Sequence, residues 1–545
     1  MTFAPSLLTL SRNPDRHTSL WDEPVLVSAI LLIILVGCVL LMYLKRLSAM
    51  LALPLMALLF ALAAGVPKEH LLEHVLQKGP LSVSPALLAT IFGGILAMFI
   101  KNRGVVELMI RYTAELVGDR PLVLALSLMF ITAAIFIALG ELGTVILVGS
   151  IILPIMLNAG IPPVTASAVM IIGLSMGGML NLRNWQLYVN VLGVTPAQVR
   201  DFALVMVALF AVFGLAFCLW HLRPSQLHRF ATTPAAPVKP PLHRLALFTP
   251  IVPLLLVLVL DWPIVPAFIA GLLFAILASS FEGELAMASL LVLFANMLIV
   301  PGLLPQPGHT PLGTSTAAVA LLPFFAWTIY RLVRSLRRRT TRRTQLAILS
   351  PLLPLYLIHG LEMETALALL AGMLIAILLT IRREAVQILT KSIIESFEST
   401  GPALFLIIGI GILLETVKHE NITGAFSTLL APLLPEQGLP QPAFVVIFGL
   451  LAPLALYRGP LNIWGLGSGF AALLLAAGAL SAEQIMAMLL SVGAVQAVCD
   501  PTNSHNFWIA SFTRVDALDI TKRTLPFIWP LAIAALVIAG FMYFG

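Results

Sequence analysis

The stretch Val498–Trp508 reads VCDPTNSHNFW. Asp500, Thr502, Asn503, Ser504, His505 and Asn506 crowd a few positions beside Pro501, between two long apolar runs. A proline inside a helix removes a backbone donor and clashes with the preceding turn. In a soluble protein such a stretch would be a surface loop. This chain is 545 residues long, 60% hydrophobic and only 10% charged, where ordinary soluble domains carry about 25% charged residues. It therefore reads as an all-α integral membrane protein, because lipid offers the backbone no hydrogen-bond partners. The apolar runs are continuous rather than alternating, which argues against a barrel. Val498–Trp508 then becomes a break within a spanning helix, the kind of irregular backbone found at membrane depth only where it lines a protein-enclosed cavity.

The net charge of +6 does not signal a nucleic-acid partner. The basic residues sit in short connectors, as cytoplasmic loops require. Cys38, Cys218 and Cys499 all lie in apolar runs without metal-ligand spacing, which argues against a disulfide framework. Arg12 and Arg16 precede an apolar run with no clear small-residue cleavage site, so the beginning reads as a first spanning helix rather than a removed signal peptide.

Runs near 20 residues are spanning candidates. They fall at about 27–43, 47–65, 83–100, 121–139, 144–158, 163–190, 203–221, 246–260, 265–281, 285–303 and 317–331. They resume at about 346–358, 365–381, 402–417, 442–457, 461–477, 481–510 and 525–544. The connector RLVRSLRRRTTRR (331–343) carries seven arginines and reads as cytoplasmic. The basic, proline-rich segment 223–244 reads as a flexible cytoplasmic linker.

The two ends of the chain match. SPALLATIFGGIL (84–96) resembles TGPALFLIIGIGIL (400–413), with Pro85 against Pro402 and Gly94 against Gly411. GELGT (140–144) faces YRGPL (457–461), and Gly160 faces Gly478. All four pairs share an offset close to 317, which implies a duplication. After its first helix, repeat 1 has Lys45 and Arg46, whereas repeat 2 has Glu362 and Glu364. This reversal implies opposite orientation. The expected organisation is a segment 1–26, repeat 1 over 27–222 with a re-entrant hairpin at about 121–158, a linker with four connecting helices over 223–345, and repeat 2 over 346–545 with a hairpin at about 442–478. About 14 helices then cross the membrane, with 222–245, 331–345 and 511–524 inside and both termini outside. Inverted repeats with interrupted helices are the pattern of secondary transporters, whose sites lie where the irregular segments meet.

Four segments carry the chemistry. The first hairpin turn, LGELGT (139–144), offers Gly140, Gly143 and Thr144, whose amides can point at an anion. Glu141 is either a proton or cation site or the partner of a structural arginine. The second turn, LYRGPLNIWG (456–465), holds Arg458, Gly459 and Asn462. Arg458 is a permanently charged fork that suits a carboxylate, or a partner for Glu141 or Asp500. The first break, SMGGMLNLRNWQLYVN (175–190), contributes Asn181 and Asn184, while Arg183 either enters the cavity or, the reading we favour, marks a helix end. The second break contributes Thr502 and Ser504 to substrate, and Asp500, Asn503, His505 and Asn506 to ion coupling. Asp500 and Asn503 are the candidate Na⁺ ligands. His505 either titrates or serves as a neutral hydrogen-bonding group. Asn181 aligns with Cys499, so the two breaks occupy matching places in the repeats.

No GxxxxGK[ST] phosphate loop, HExxH or paired-cysteine metal motif is present. The expected cofactors are none, apart from Na⁺ as a coupling ion.

In plan the chain resembles the ion-transporter superfamily of gluconate, lactate, C4-dicarboxylate and citrate permeases. The resemblance rests on ALGELGTVILVGSIILPIMLNAGIPP (138–163), SMGGMLN, LYRGPLN and CDPTNSHN. The first hairpin is similar to the glycine-and-glutamate hairpin of lactate-type permeases. Thr502 and Asn503 are similar to the Thr/Asn-rich tips of dicarboxylate and citrate carriers. The gluconate-type signature and paired Ser-Asn-Thr tips are missing, so substrate and coupling ion stay open. The resemblance implies an elevator-like symporter of a small organic anion driven by H⁺ or Na⁺, multi-pass in the bacterial inner membrane, commonly a homodimer. The alternatives are a Na⁺/H⁺ antiporter without organic substrate and a membrane enzyme on lipid-linked substrates. The absence of a nucleophile–base or metal pair argues against an enzyme.

Overall fold

The structure, a computed structural model, describes residues 24–43, 46–117, 120–222, 244–280, 363–380, 383–430, 439–458, 467–476 and 480–544, with a few single positions between them. The expected spans at 285–303, 317–331 and 346–358, the basic connector 331–343, and Gly459 and Asn462 lie essentially outside the described residues. All regular elements described are helical. Five helices are long and apolar enough to cross a membrane, or six if the bent pair Pro163–Met179 and Leu182–Leu192 counts as one span.

The helices begin and end where local chemistry dictates. α1 (Pro24–Tyr43), α2 (Ala49–Ala63) and α3 (Ser84–Arg103) follow in order. Between α2 and α3, residues Leu71–Lys78 form a π-helix. α3 carries Pro85 in its first turn and stops at Gly104, a left-handed cap with φ 81° that glycine adopts without strain. α4 (Val105–Val117) is short and amphipathic. α5 (Pro121–Phe136) and α6 (Leu142–Asn158), joined by a short turn, occupy the place of the first expected hairpin. α7 (Pro163–Met179), α8 (Leu182–Leu192) and α9 (Pro196–His221) complete this half. α10 (Val252–Leu260) and α11 (Ile264–Ser280) lie between the halves. The second half holds α12 (Thr365–Thr380), α13 (Arg383–Val417), α14 (Glu420–Leu430), α15 (Gln441–Leu451), α16 (Gly467–Ala476), α17 (Ala482–Cys499), α18 (Ser504–Thr513) and α19 (Ala517–Tyr543).

One boundary corrects the sequence reading. α13 begins at Arg383, well before the run expected at 402–417. Its first half carries Glu384, Lys391, Glu395 and Glu398. Those charges mask a helical face on which Ala385, Ser392, Ser396 and Thr400 are buried. That face meets α3, where the Asn102 amide donates to Ser392 Oγ at 3.0 Å and to Glu395 Oε2 at 2.8 Å. Arg103 pairs with Glu384 at 3.3 Å.

α3 and α13 cross antiparallel on small residues, the interface chemistry of membrane helices. A Cβ on Gly94 would stand 2.5 Å from Ser396 Oγ. At the other end of the contact, a Cβ on Gly79 would stand 2.8 Å from Ile412 Cα and 3.1 Å from the Gly411 carbonyl oxygen. Gly94 and Gly411 are one of the aligned pairs, and shifting 79 by the same offset gives 396. The two close contacts are therefore each other's counterparts under the repeat alignment.

The same reciprocity recurs around the breaks. α8 packs against α16 and α17, while α18 packs against α6 and α7. At one end of the bundle, Gln198 at the start of α9 donates to Glu483 at the start of α17 (2.7 Å), and Gln484 donates to the Tyr543 carbonyl (3.0 Å). At the other end, Ser167 near the start of α7 shares a 2.8 Å hydrogen bond with Thr513 at the end of α18. Phe217 and Phe527 meet edge-on there at 5.3 Å. The two broken helices thus run antiparallel. Gly160 and Gly478, in the turns before them, both have positive φ (82° and 65°). All three cysteines are buried and free.

Candidate functional site

The first break lies between α7 and α8, which meet at 52°. Gly173 and Gly177 let α7 approach the α5 backbone at Met129 and Ala133. At the break, Asn181 caps α8: its Oδ1 accepts from the Arg183 amide at 3.1 Å, and its Nδ2 donates to the Phe136 carbonyl at 3.2 Å. Asn184 Nδ2 reaches back to the Gly178 carbonyl (2.8 Å) and the Trp185 indole to the Met179 carbonyl (2.7 Å). Gln186 donates to Asn190 (2.6 Å). The carbonyls freed at the end of α7 are thus held by the side chains just after the break.

The second break is built the same way and is longer. Asp500 is the C-cap of α17 and Asn503 the N-cap of α18. Leu180 is the C-cap of α7 and Asn181 the N-cap of α8. Pro501 and Thr502 fill the extra length, so Asn503, rather than Cys499, is the structural counterpart of Asn181. Asp500 is fully buried. Its Oδ1 accepts from the Thr502 amide (2.8 Å) and hydroxyl (2.7 Å). Asn503 Oδ1 accepts from the His505 amide at 3.2 Å. Asn506 Nδ2 donates to the carbonyls of Ala497, Val498 and Asp500, at 3.2, 3.2 and 3.0 Å. Its Oδ1 is buried without a partner. Asp500, Thr502, Asn503 and Asn506 are therefore brought together, His505 is half-buried beside them, and Ser504 is exposed.

The first hairpin turn faces the first break. Glu141 is the N-cap residue of α6 and is buried, and its Oε1 forms an ion pair with Arg183 Nη1. The Gly140 amide donates to its other oxygen at 3.2 Å. Glu141 is thus paired with an arginine of the break. Arg183 stands at the start of α8, the helix end expected of it, and also enters the site. Its aliphatic stem lies on α3, 2.9 Å from where a Cβ of Gly93 would stand. Its Nη2 lies 2.6 Å from a Cβ placed on Gly140, so a side chain there would push the guanidinium aside. Lys101 brings its ammonium to the same turn, 3.5 Å from a Cβ on Gly143. The sequence carried no signal for Lys101, because lysines near helix ends are usually solvated. Thr144, in the first turn of α6, is fully buried and its hydroxyl has no partner.

The second expected hairpin, about 442–478, is described only in part. A 3₁₀ turn, Ala452–Arg458, follows α15. The side chains of Tyr457 and Arg458 lie outside the described residues. α18 reaches back to the first hairpin, where Trp508 packs on α6 so tightly that a Cβ on Gly149 would meet its ring at 2.5 Å. Among the described residues no cluster of three or more His, Cys, Asp or Glu side chains could hold a metal ion.

No protein-family profile matches the chain, and no curated protein matches it in sequence. Solved structures match its fold. The YdaH transporter of Alcanivorax borkumensis superposes with a TM-score of 0.51 at 13% identity, over 87% of this chain and 89% of that one. MtrF of Neisseria gonorrhoeae, described in a study of antimetabolite efflux pumps, gives a TM-score of 0.48 at 14% identity, over 87% of this chain and 84% of that one.

Proposed function

We propose that this chain is a secondary active carrier of a small organic anion, a mono- or dicarboxylate, coupled to H⁺ or Na⁺ and working by elevator-like alternating access in a bacterial inner membrane. The observation that carries the reading is the reciprocal packing around the breaks. Each break's second half lies on the other half-chain's hairpin arm and first broken segment, and the two broken helices run antiparallel. A pair of inverted repeats meeting at their irregular segments produces that arrangement, and transport sites form there. The fold shared with the YdaH transporter supports the same reading.

In this reading the turn at Gly140, Gly143 and Thr144 meets the carboxylate with the Gly143 amide and the Thr144 hydroxyl, since the Gly140 amide is held by the Glu141 carboxylate and the Thr144 amide by the Glu141 carbonyl. Arg458, Gly459 and Asn462 are its counterparts in the second turn. Asp500, with Asn503 and the unpartnered Asn506 Oδ1, supplies oxygens for a cation or a proton carrier at the second break. The first break supplies Glu141 and Asn181. The complete chain crosses the membrane about 14 times with two re-entrant hairpins, and two copies pair as a homodimer.

The test is reconstitution. Proteoliposomes are given labelled lactate, succinate or citrate under imposed H⁺ or Na⁺ gradients. The proposal expects at least one acid to accumulate above its outside concentration under one gradient. If none accumulates and Na⁺ instead dissipates an imposed pH gradient, the chain is a cation/proton antiporter.

A further inference from the structure

The first hairpin turn and the first break hold a buried charge arrangement that a merely structural pair does not need. Glu141 and Arg183 have side chains only 5% and 11% exposed, and their charges cancel. The carboxylate is satisfied by Arg183 Nη1 and the Gly140 amide. The guanidinium is not: its Nε is buried without a partner. The Thr144 hydroxyl, three residues beyond Glu141 at the positive end of α6, is also buried without a partner. Leaving buried donors without partners is unfavourable, and an acceptor bound between the turn and the break would satisfy both. Lys101 reaches the same turn beside Gly143 but is only half-buried, so its charge is screened far more than that of the buried pair. The site therefore holds more buried donors than Glu141 alone can satisfy. Among the described residues, α5 and α7 bring no charged group to the turn, α3 brings Lys101 and Arg103, and Arg103 pairs with Glu384. α4 brings Glu107 and the mutual pair Arg111–Glu115, and α18 brings His505.

We propose that Arg183 receives the carboxylate of the transported acid, that Glu141 holds Arg183 while the site is empty, and that a proton taken up by Glu141 releases it. This rests on the carrier reading above and makes H⁺ the coupling ion at the first break. The guanidinium is a planar fork with five donors, and its Nε edge can take a carboxylate in parallel bonds. Thr144 Oγ1 donates to the same anion. Charge decides the coupling. A second carboxylate entering beside ionised Glu141 leaves two negative charges on one buried guanidinium, and an uncompensated buried charge is strongly unfavourable. If one proton binds Glu141 as the anion binds Arg183, the net charge of the site is unchanged: the Glu141 carboxylate becomes a neutral acid, and the ion pair is remade between Arg183 and the substrate. One proton is carried for each carboxylate held.

The experiment uses the full-length protein in Na⁺-free proteoliposomes with labelled lactate, succinate and citrate. It compares exchange between labelled and unlabelled acid with net accumulation driven by an acid-outside gradient. Wild type is expected to do both. Glu141→Gln frees Arg183 permanently, so exchange persists while gradient-driven accumulation is lost. Arg183→Gln loses both, exchange falling by more than about tenfold, as expected when a charge-assisted pair is removed. The proposal is overturned if Glu141→Gln still accumulates acid under the pH gradient, or if the two variants lose exchange alike while remaining monodisperse. If wild type moves none of the three acids with or without Na⁺, the carrier reading falls and this inference with it; if it moves them only with Na⁺ and shows no accumulation under the pH gradient, this inference falls alone. Should Glu141→Gln fail to reconstitute, wild-type exchange still decides. Its half-saturating acid concentration must fall as the medium is acidified, and independence from pH overturns the proposal.

Discussion

The α3–α13 crossing gives a prediction whose size follows from geometry. In Gly411→Ala the new methyl would overlap the Gly79 carbonyl oxygen, approach the Gly79 carbonyl carbon to 3.0 Å and Val83 Cγ2 to 2.7 Å. Two of the three obstacles are backbone atoms, which no rotamer change can move. Overpacking of this kind costs about 1–3 kcal/mol. Gly493, inside α17, has nothing within 4 Å of its added Cβ. Alanine there should be neutral or stabilising by up to about 1 kcal/mol, because it removes the entropic cost of glycine in a helix. The two substitutions therefore have opposite expected signs. Purified variants are heated in detergent and the surviving monodisperse fraction is read by size exclusion. Gly411→Ala should melt below wild type and Gly493→Ala at or above it. If Gly411→Ala melts as high as Gly493→Ala, the two backbones do not approach as closely as this packing requires.

Two further outcomes follow from the breaks. Asn181→Ala removes both the cap of α8 and the bond to Phe136, and Asn503→Ala removes the cap of α18; each should cost about 0.5–2 kcal/mol and speed hydrogen exchange in 182–192 or 504–513 respectively. Unchanged exchange in the segment after the altered cap would show that the cap does not hold it. Gly149→Ala pushes on the Trp508 ring and should lower the melting temperature, while the same change in a Trp508→Phe background should cost less. Additive losses would mean that the two residues do not touch, since contacting residues couple by about 0.5–3 kcal/mol.

Much of the fold is legible in the sequence because its signals are local. Apolar runs of spanning length mark α1 to α3, α9 and α19, and Pro501 marks the second break. Gly160 and Gly478 are readable as turns because glycine takes positive φ without strain. The first half of α13 was missed because hydropathy weighs Glu384, Lys391 and Glu395 and ignores their spacing. A helical period over Ala385, Ser392, Ser396 and Thr400 would have found it. The register at the breaks drifted because Pro501 and Thr502 lengthen one of them, which an ungapped offset cannot see. The Glu141–Arg183 pair joins a hairpin turn to a break 42 residues away. The sequence shows both charges and allows a structural arginine as partner, but only the packing of α8 on α3 at Gly93 says which one it is. The roles of Asn181 and Asn503 as caps were equally hidden, since an asparagine in a break suits a cap and a ligand equally well.

The proposed carrier has two copies of one plan running in opposite directions across the membrane, so that their breaks meet. Pro162 and Ser481 stand immediately before α7 and α17, and both are exposed. Single cysteines at these positions, in a background lacking Cys38, Cys218 and Cys499, can be labelled in intact cells with a membrane-impermeant maleimide. With the copies inverted, Ser481→Cys is labelled from outside, and Pro162→Cys is labelled only after the membrane is opened. Labelling of both from the same side would contradict it.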